Sequence, residues 1–411
     1  MQLARLLSAA TCSLLGSAAQ AAESKWDIDS AILFYKESGG RVAVVEPVIS
    51  AKKDLGDDEI LSMKLVLDSL TGASANGATP STQVQTFIRP SGNGTYQTPA
   101  NETPLDDSFL DTRVSFSLNW DKPIDRNNRR NLGFNVSKEY DFLSLSGNAL
   151  WQHDINQKNT TITSGINFEF DQIDADGGAP VGLSNMLDQN KTSGTESREI
   201  IDLLFGVTQV IDKTSLFQIN LSLSQANGYL TDPYKLLSVV DDVTGEPDHY
   251  LFEHRPDSRF RRSLYGKYRK QLANRDIFTA SYRYMTDDWE VDSHTFDFTY
   301  RFKISNGYFI QPHLRFYQQT STYFYRYFLL DSEAVPGFAS ADYRLGDLRT
   351  TTVGVKFGKA TDSKHVWSAR LAYYLQSGES SPSEAVGQLT QQDLFPDVHA
   401  VIVQFNYSFR W

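Results

Sequence analysis

The segment "GEPDHYLFEHRPDSRFRR" places Glu246, Asp248, His249, Glu253 and His254 just ahead of Arg255, Arg259, Arg261 and Arg262. Imidazole with carboxylate is a donor set for a divalent metal and also makes an acid–base pair. Asp248, His249, Glu253 and His254 are thus candidate metal ligands. No helix or strand period runs between the two histidines, so their spacing fixes no ligand geometry. Ionic anchoring, Glu253 with Arg255 or Arg259, is the plainer use of the same residues. A second grouping is Asp292-Ser293-His294, the residue types of a hydrolytic triad. Along a strand Asp292 and His294 share one face and Ser293 takes the other, which argues against a triad within the tripeptide and against an enzyme.

A third grouping lies in "FIRPSGNGTYQTPANETPLDDSFLDTR". Asp106, Asp107 and Asp111 offer the oxygen ligands that a hard cation such as Ca²⁺ takes. Their spacing does not follow an EF-hand, and a solvated charge cluster is the alternative. Beyond such a loop-bound divalent cation, no cofactor is expected. A segment this long needs a reason to be ordered. Folding into a lumen as a constriction, its aspartates facing arginines there, would supply one.

These groups act only where a fold holds them, and the fold is written in alternation. The chain ends in "VIVQFNYSFRW", with Val401, Val403, Phe405, Tyr407, Phe409 and Trp411 on one face of a strand. "RVSFSLNW", "LSLSGNALW", "TITSGINFEF", "SLFQINLSLS" and "HTFDFTYRF" repeat the pattern. About 16 such strands are present, or about 14 if the first hairpin lies outside the wall. Connections alternate in length. Working back from Trp411, "TDSK", "ISNG", "LANRD", "IDKT", "INQKN", "DKPIDRNNR" and "KKDLGDDE" are short. The slots between them receive the long segments Gly72–Leu110, Gln172–Thr195, Gly228–Asp257, Ser321–Leu345 and Gly378–Pro396, three further slots around Asp287-Asp288, Glu139-Asp141 and Ser38-Gly40 being tight, and no long segment falls among the short set. A soluble sandwich has no reason to sort loops by parity. A transmembrane antiparallel β-barrel does, with short periplasmic turns and long extracellular loops.

The N-terminus agrees. A basic residue, Arg5, an Ala/Leu-rich run and Ala19-Gln20-Ala21 read as a secretory signal peptide over residues 1–21, leaving 22–411 as the barrel with a long inserted loop at 72–111. The one cysteine, Cys12, leaves with it, which excludes disulfides and thiolate metal sites. Loss of Arg5 moves the net charge from -11 to about -12, so a general nucleic-acid partner is excluded. Localisation in the outer membrane of a Gram-negative bacterium follows.

Alternation then assigns faces. Phe296, Phe298, Tyr300 and Phe302 must point to lipid, which turns Arg301 and Lys303 inward. The same logic turns inward Arg259, Arg261, Lys267, Arg269, Arg283, His313, Arg315, Lys356, Arg370 and Arg410. The N-terminal half supplies Lys64 and the carboxylates Asp68, Glu169, Asp171 and Asp202. Internal salt bridging is one use of these groups. A charged pore that selects ions is the other. The terminal aromatic strand resembles that of Gram-negative outer-membrane proteins, a resemblance that implies an assembly signal in Phe409 and Trp411.

The stretches "DDVTGEPDHYLFEHRPDSRFRRSLYGKYRKQL", "SYRYMTDDWEVDSHTFDFTYRF", "PHLRFYQQTSTYFYRYF" and "SADYRLG", with the Thr86–Arg113 segment, resemble the motifs of a bacterial family known as domain of unknown function 3570. Met285 and Glu290 stand where that family usually has Tyr and Gly. The resemblance implies an outer-membrane barrel. It also implies genes beside those for a thioredoxin-like protein, a small lipoprotein and a flavin transferase, but no activity or catalytic residue. The function expected is a porin-like channel or binding barrel for a small anionic or zwitterionic solute. The alternatives are a non-conducting docking or assembly partner for periplasmic redox- or flavin-linked proteins, and a barrel-borne hydrolase. Outer-membrane lipid, lipopolysaccharide (Arg262 at the rim) and the barrel-assembly machinery are the further expected partners.

Overall fold

The computed structural model describes residues 26–106, 110–361 and 365–410. The signal peptide expected at 1–21, Asp107 and Trp411 lie outside these residues. Sixteen antiparallel strands close into a barrel. In chain order they are β1 (Trp26–Glu37), β2 (Ala43–Gly56), β3 (Glu59–Thr71), β4 (Leu110–Pro123), β5 (Asn128–Lys138) and β6 (Phe142–Ile155). β7 (Thr160–Ile173), β8 (Glu196–Asp212), β9 (Ser215–Gly228), β10 (Ser258–Gln271) and β11 (Ile277–Asp287) follow. The wall is completed by β12 (Asp292–Lys303), β13 (Tyr308–Gln319), β14 (Leu348–Ala360), β15 (His365–Gly378) and β16 (Val398–Arg410).

Each strand pairs with its neighbour in sequence, and β16 pairs with β1 through Phe409↔Ile28, Phe405↔Ile32 and Val401↔Lys36. Closure leaves no unpaired edge, which is what lets strands stand in hydrocarbon. The outward face is apolar: Phe205, Leu264 and Val353 are each half or more exposed. The short connections gather at one end. Asp57 and Asp58 both take positive φ between β2 and β3, the backbone of a two-residue hairpin turn. Proline interrupts the ladder twice. The β2–β3 register skips from Val45↔Ser69 to Val48↔Val66 around Pro47, and the β12–β13 register skips from Thr299↔His313 to Phe302↔Ile310 around Pro312, since proline brings no N–H.

The apolar core lies outside the wall. Long connections at the opposite end pack into a cap. Its sheet pairs Leu236–Val240 with Pro247–Phe252 and, in parallel, with Leu329–Leu330. The hairpin Gln85–Ile88/Thr95–Thr98 brings Phe87 and Tyr96 against Met186, Leu236 and Phe252. A second cluster joins Trp289, Phe324, Leu345 and Phe395, and a third joins Val240, Phe328, Leu389 and Leu394. Phe87, Phe324 and Phe395, the largest fully buried side chains, all belong to this cap. Gly245 and Gly387 have positive φ, and a Cβ on either would run into the backbone of the other's loop.

Candidate functional site: a charged lumen beneath a loop cap

Cross-strand partners trace one inward face around the wall. It runs Asp171↔Arg198, Asp202↔Ser224 and Ser224↔Arg261, then Tyr265↔Arg283, Arg283↔Thr295 and Asp297↔Arg315. It continues through Thr299↔His313, Gln311↔Lys356 and Lys356↔Arg370 to Arg410↔Asp27. Arg259, Lys267 and Arg269 share this face on β10, as do Arg301 and Lys303 on β12 and Lys64, Asp68 and Glu169 on their own strands. Pleating, with its strict period of two, puts them there.

Their pairing is uneven. Asp68 is bound by Arg113 and Asp171 by Arg198, and both carboxylates are buried. Arg113 and Arg198 are inward cations that the sequence reasoning passed over. Alternation with outward Val114 and Ile201 puts both on the inward face, while the acid each one faces is fixed by the register. Asp202 accepts from Asn167, and Arg259 bonds Asp287 at 2.8 Å. Arg261 bonds Ser224 at 3.2 Å with Asp202 and Asp287 as electrostatic neighbours, and His313 sits between Asp297 (2.8 Å) and Arg370 (3.2 Å). Arg410 pairs with Asp27 at the seam.

The remaining cations collect toward the short-turn end. Arg301 lies over the Phe309 ring, 3.6 Å from its centroid, with Arg269 and Lys356 as electrostatic neighbours. Lys356 in turn neighbours Arg370. Among the described residues none of these four is within ion-pair distance of a carboxylate. A cavity of about 400 Å³ opens beside Arg301 and Lys356, lined also by Gln311, Ser368, Asn406 and one acid, Asp29.

A larger chamber, about 910 Å³, lies between the outer wall and the cap. Its walls come from β1, β15, the β5–β6 turn and the loops holding Asn76, Asp232 and Tyr343. Beside it a buried ionic lock ties the cap together. Glu253, fully buried, pairs with Arg255 at 2.6 Å and accepts from the Asp232 amide and the Ser340 hydroxyl. Arg255 also bonds Asp342, which Arg344 grips in turn while reaching Asp232 at 2.6 Å. Burial pushes the Glu253 carboxyl up against the pull of Arg255. Burial also opposes the Asp342 charge, but Arg344, Lys235 and Arg255 outweigh it and hold that carboxyl well below the ordinary carboxylate range.

Glu253 therefore serves the lock, and the metal grouping read from sequence does not assemble. His254 bonds the Gly337 carbonyl, and His249 bonds Asp248 on the surface. Among the described residues no group of three or more His, Asp or Glu is placed to hold a metal ion. In the Asp292-Ser293-His294 stretch, Ser293 is buried inward, while His294 meets the Tyr282 hydroxyl and Asp292 that of Tyr284. Of the acidic trio, Asp106 sits on a two-residue ladder with Ser74–Ala75. Asp111 stands on β4 near Glu139 and Arg113, away from the cations of the C-terminal strands. The loop packs into the cap, where Ser81 and Thr82 bond Glu246 and Gln388 bonds the Pro80 carbonyl, and Asn76, Arg89 and Asp106 line the chamber beneath.

No curated protein matches the chain in sequence. Among solved structures it is similar to a bacterial polysaccharide outer membrane secretin, at 10% identity over 94% of this chain and 98% of that one, with a TM-score of 0.44. It is similar also to a loop-deletion mutant of OmpT, an outer membrane protein of Vibrio cholerae, at 8% identity over 94% and 98% of the two chains, with a TM-score of 0.40. A mutant ferric enterobactin receptor of Pseudomonas aeruginosa shows 8% identity and a TM-score of 0.43, covering 94% of this chain but 59% of the receptor. The model of one family, described as a protein of unknown function, matches residues 4–409, and the chain belongs to that family, DUF3570.

Proposed function

We propose that this barrel stands in the outer membrane of a Gram-negative bacterium, cap outward, and that its lumen takes up a small anionic or zwitterionic solute. The observation that supports this most is the set Arg269, Arg301, Lys356 and Arg370, inward and without a carboxylate at ion-pair distance among the described residues. Cations left unpaired in a narrow space bounded by a low-dielectric wall focus their field on whatever enters. The acidic balance of the chain does not cancel this. The loop segment 379–397 alone carries Glu379, Glu384, Asp393 and Asp397 with no Lys or Arg, but those charges lie toward the cap. Beyond a Debye length of about 8 Å, exposed charges are largely screened.

Purified barrel in a planar bilayer under a KCl gradient tests the proposal. The reversal potential should show anion preference, and it should move toward cations in Arg301→Gln plus Lys356→Gln. A cation-selective wild type, or assembled barrel that carries no current, overturns it.

A further inference from the structure

The chamber under the cap has a chemistry opposite to that of the lower wall. The cations that line it are mostly engaged by neighbours: Arg344 with Asp232 and Asp342, Arg198 with Asp171, Arg41 near Glu37, and Lys235 with the Ala75 carbonyl. Arg89 lies against the Tyr96 ring. The acids are less well served. Asp111, Asp141 and Asp176 line the chamber with no cation at ion-pair distance among the described residues, and Glu139 has Arg113 only at 4.0 Å. One oxygen of Asp111 is buried and accepts no hydrogen bond, and the Tyr229 hydroxyl is likewise buried without a partner. Buried polar atoms are nearly always satisfied, so this space is short of a polar or cationic partner. Burial, with Asp111 alongside, pushes the Glu139 carboxyl up to about 7, as a negative site without its counter-charge would.

The lining also says what kind of cation fits. A hard dication needs six or more oxygens converging at close range, and no such cluster exists among the described residues. Instead Tyr35, Tyr229, Tyr234, Tyr343 and Tyr374 share the lining with the carboxylates. Aromatic faces with carboxylates are what hold organic ammonium ions. The volume is that of a small-molecule site.

We propose that this chamber binds the ammonium group of a small organic solute, with Glu139 and Asp111 as the counter-charge. Together with the cations of the lower wall, and resting on the anion reading given for them, this makes the solute a zwitterion. Its ammonium end is held under the cap, and its anionic end meets the cations of the lower wall in turn as the solute moves along the lumen.

Saturation-transfer NMR or calorimetry on the full barrel in detergent tests this with three probes: glycine betaine, tetramethylammonium and acetate. Betaine and tetramethylammonium should bind saturably. The isosteric pair Glu139→Gln plus Asp111→Asn should weaken both by at least about tenfold, with assembly checked by heat-modifiable mobility. Binding should be tighter at pH 8 than at pH 6, since Glu139 takes up its proton between them. No binding of tetramethylammonium by wild type, or equal binding by the double variant, overturns the site. Binding that is lost in the variant, in a barrel that proves cation-selective, upholds the ammonium site and overturns the anion reading, so the two fail separately.

Discussion

Asp297 is the one carboxylate that β12 sends into the ring of cations, and His313 holds it at 2.8 Å. Its charge neutralises part of the field that Arg315 and Arg370 would otherwise present. Asp297→Asn should therefore move the reversal potential further toward anion selectivity. An unchanged or cation-shifted value would show that these groups do not face the permeation path. On the other side of the barrel, Asp171 is wholly buried, is bound through one oxygen by Arg198, and has its second oxygen unpartnered. Removing the guanidinium leaves a buried charge alone, which typically costs about 3–5 kcal/mol. Arg198→Ala should lower the urea midpoint of the assembled barrel accordingly, while Arg198→Lys should recover part of the loss.

The cap is an element with its own core, so it can fail without the wall. Phe87 is fully enclosed among Tyr96, Met186, Leu236 and Phe252. Phe87→Ala should destabilise the cap by about 3–5 kcal/mol. The readout is proteolytic nicking of the loops under conditions where the heat-modifiable barrel persists. Loss of the barrel itself would show that cap and wall fold as one unit. The ionic lock sets the response to acid. Asp342 has a folded pKa below its unfolded value, so its contribution is present above the ordinary carboxylate range. It is lost only as the pH falls through the depressed value. The cap should accordingly stay protease-resistant at pH 5 and open only in strong acid, with Arg344→Gln moving that opening upward in pH.

At the scale of the whole molecule, polarity is inverted. The apolar surface faces out, the charged surface faces in, and the hydrophobic core belongs to the loops. The outward band should tolerate charge poorly. Val353 lies midway along β14 and is 56% exposed, so Val353→Arg should cost about 2–4 kcal/mol in bilayer and little in chaotropic detergent. The seam between β1 and β16 closes the molecule, and Phe409 faces outward there against Ile28. Phe409→Asp should reduce the assembled, heat-modifiable form. Normal levels would show that the terminal strand is not read during assembly.

The wall was legible because its code is local. Period-two alternation fixes which side chains share a face, and loop parity fixes which end each strand starts from. The sixteen-stranded closed barrel and the shared face of Arg283, Arg301, Arg315 and Lys356 both follow from neighbours in sequence. Pairing across strands was partly within reach. Arg113 opposes Asp68 in the ladder, but a register must be known before such a pair can be seen. The loops were not legible, because their contacts join residues far apart in the chain. Glu253 finds Ser340, and Gly245 meets Gly387, only once separate loops have packed together. Of the two partners the sequence offered Glu253, Arg255 and Arg259, the same packing selected Arg255. It also decided that the loop from Gly72 joins the cap, and that a chamber with its carboxylates short of cations lies beneath it. Alternation is a property of the strand alone. A cavity between loops is a property of everything that closes around it.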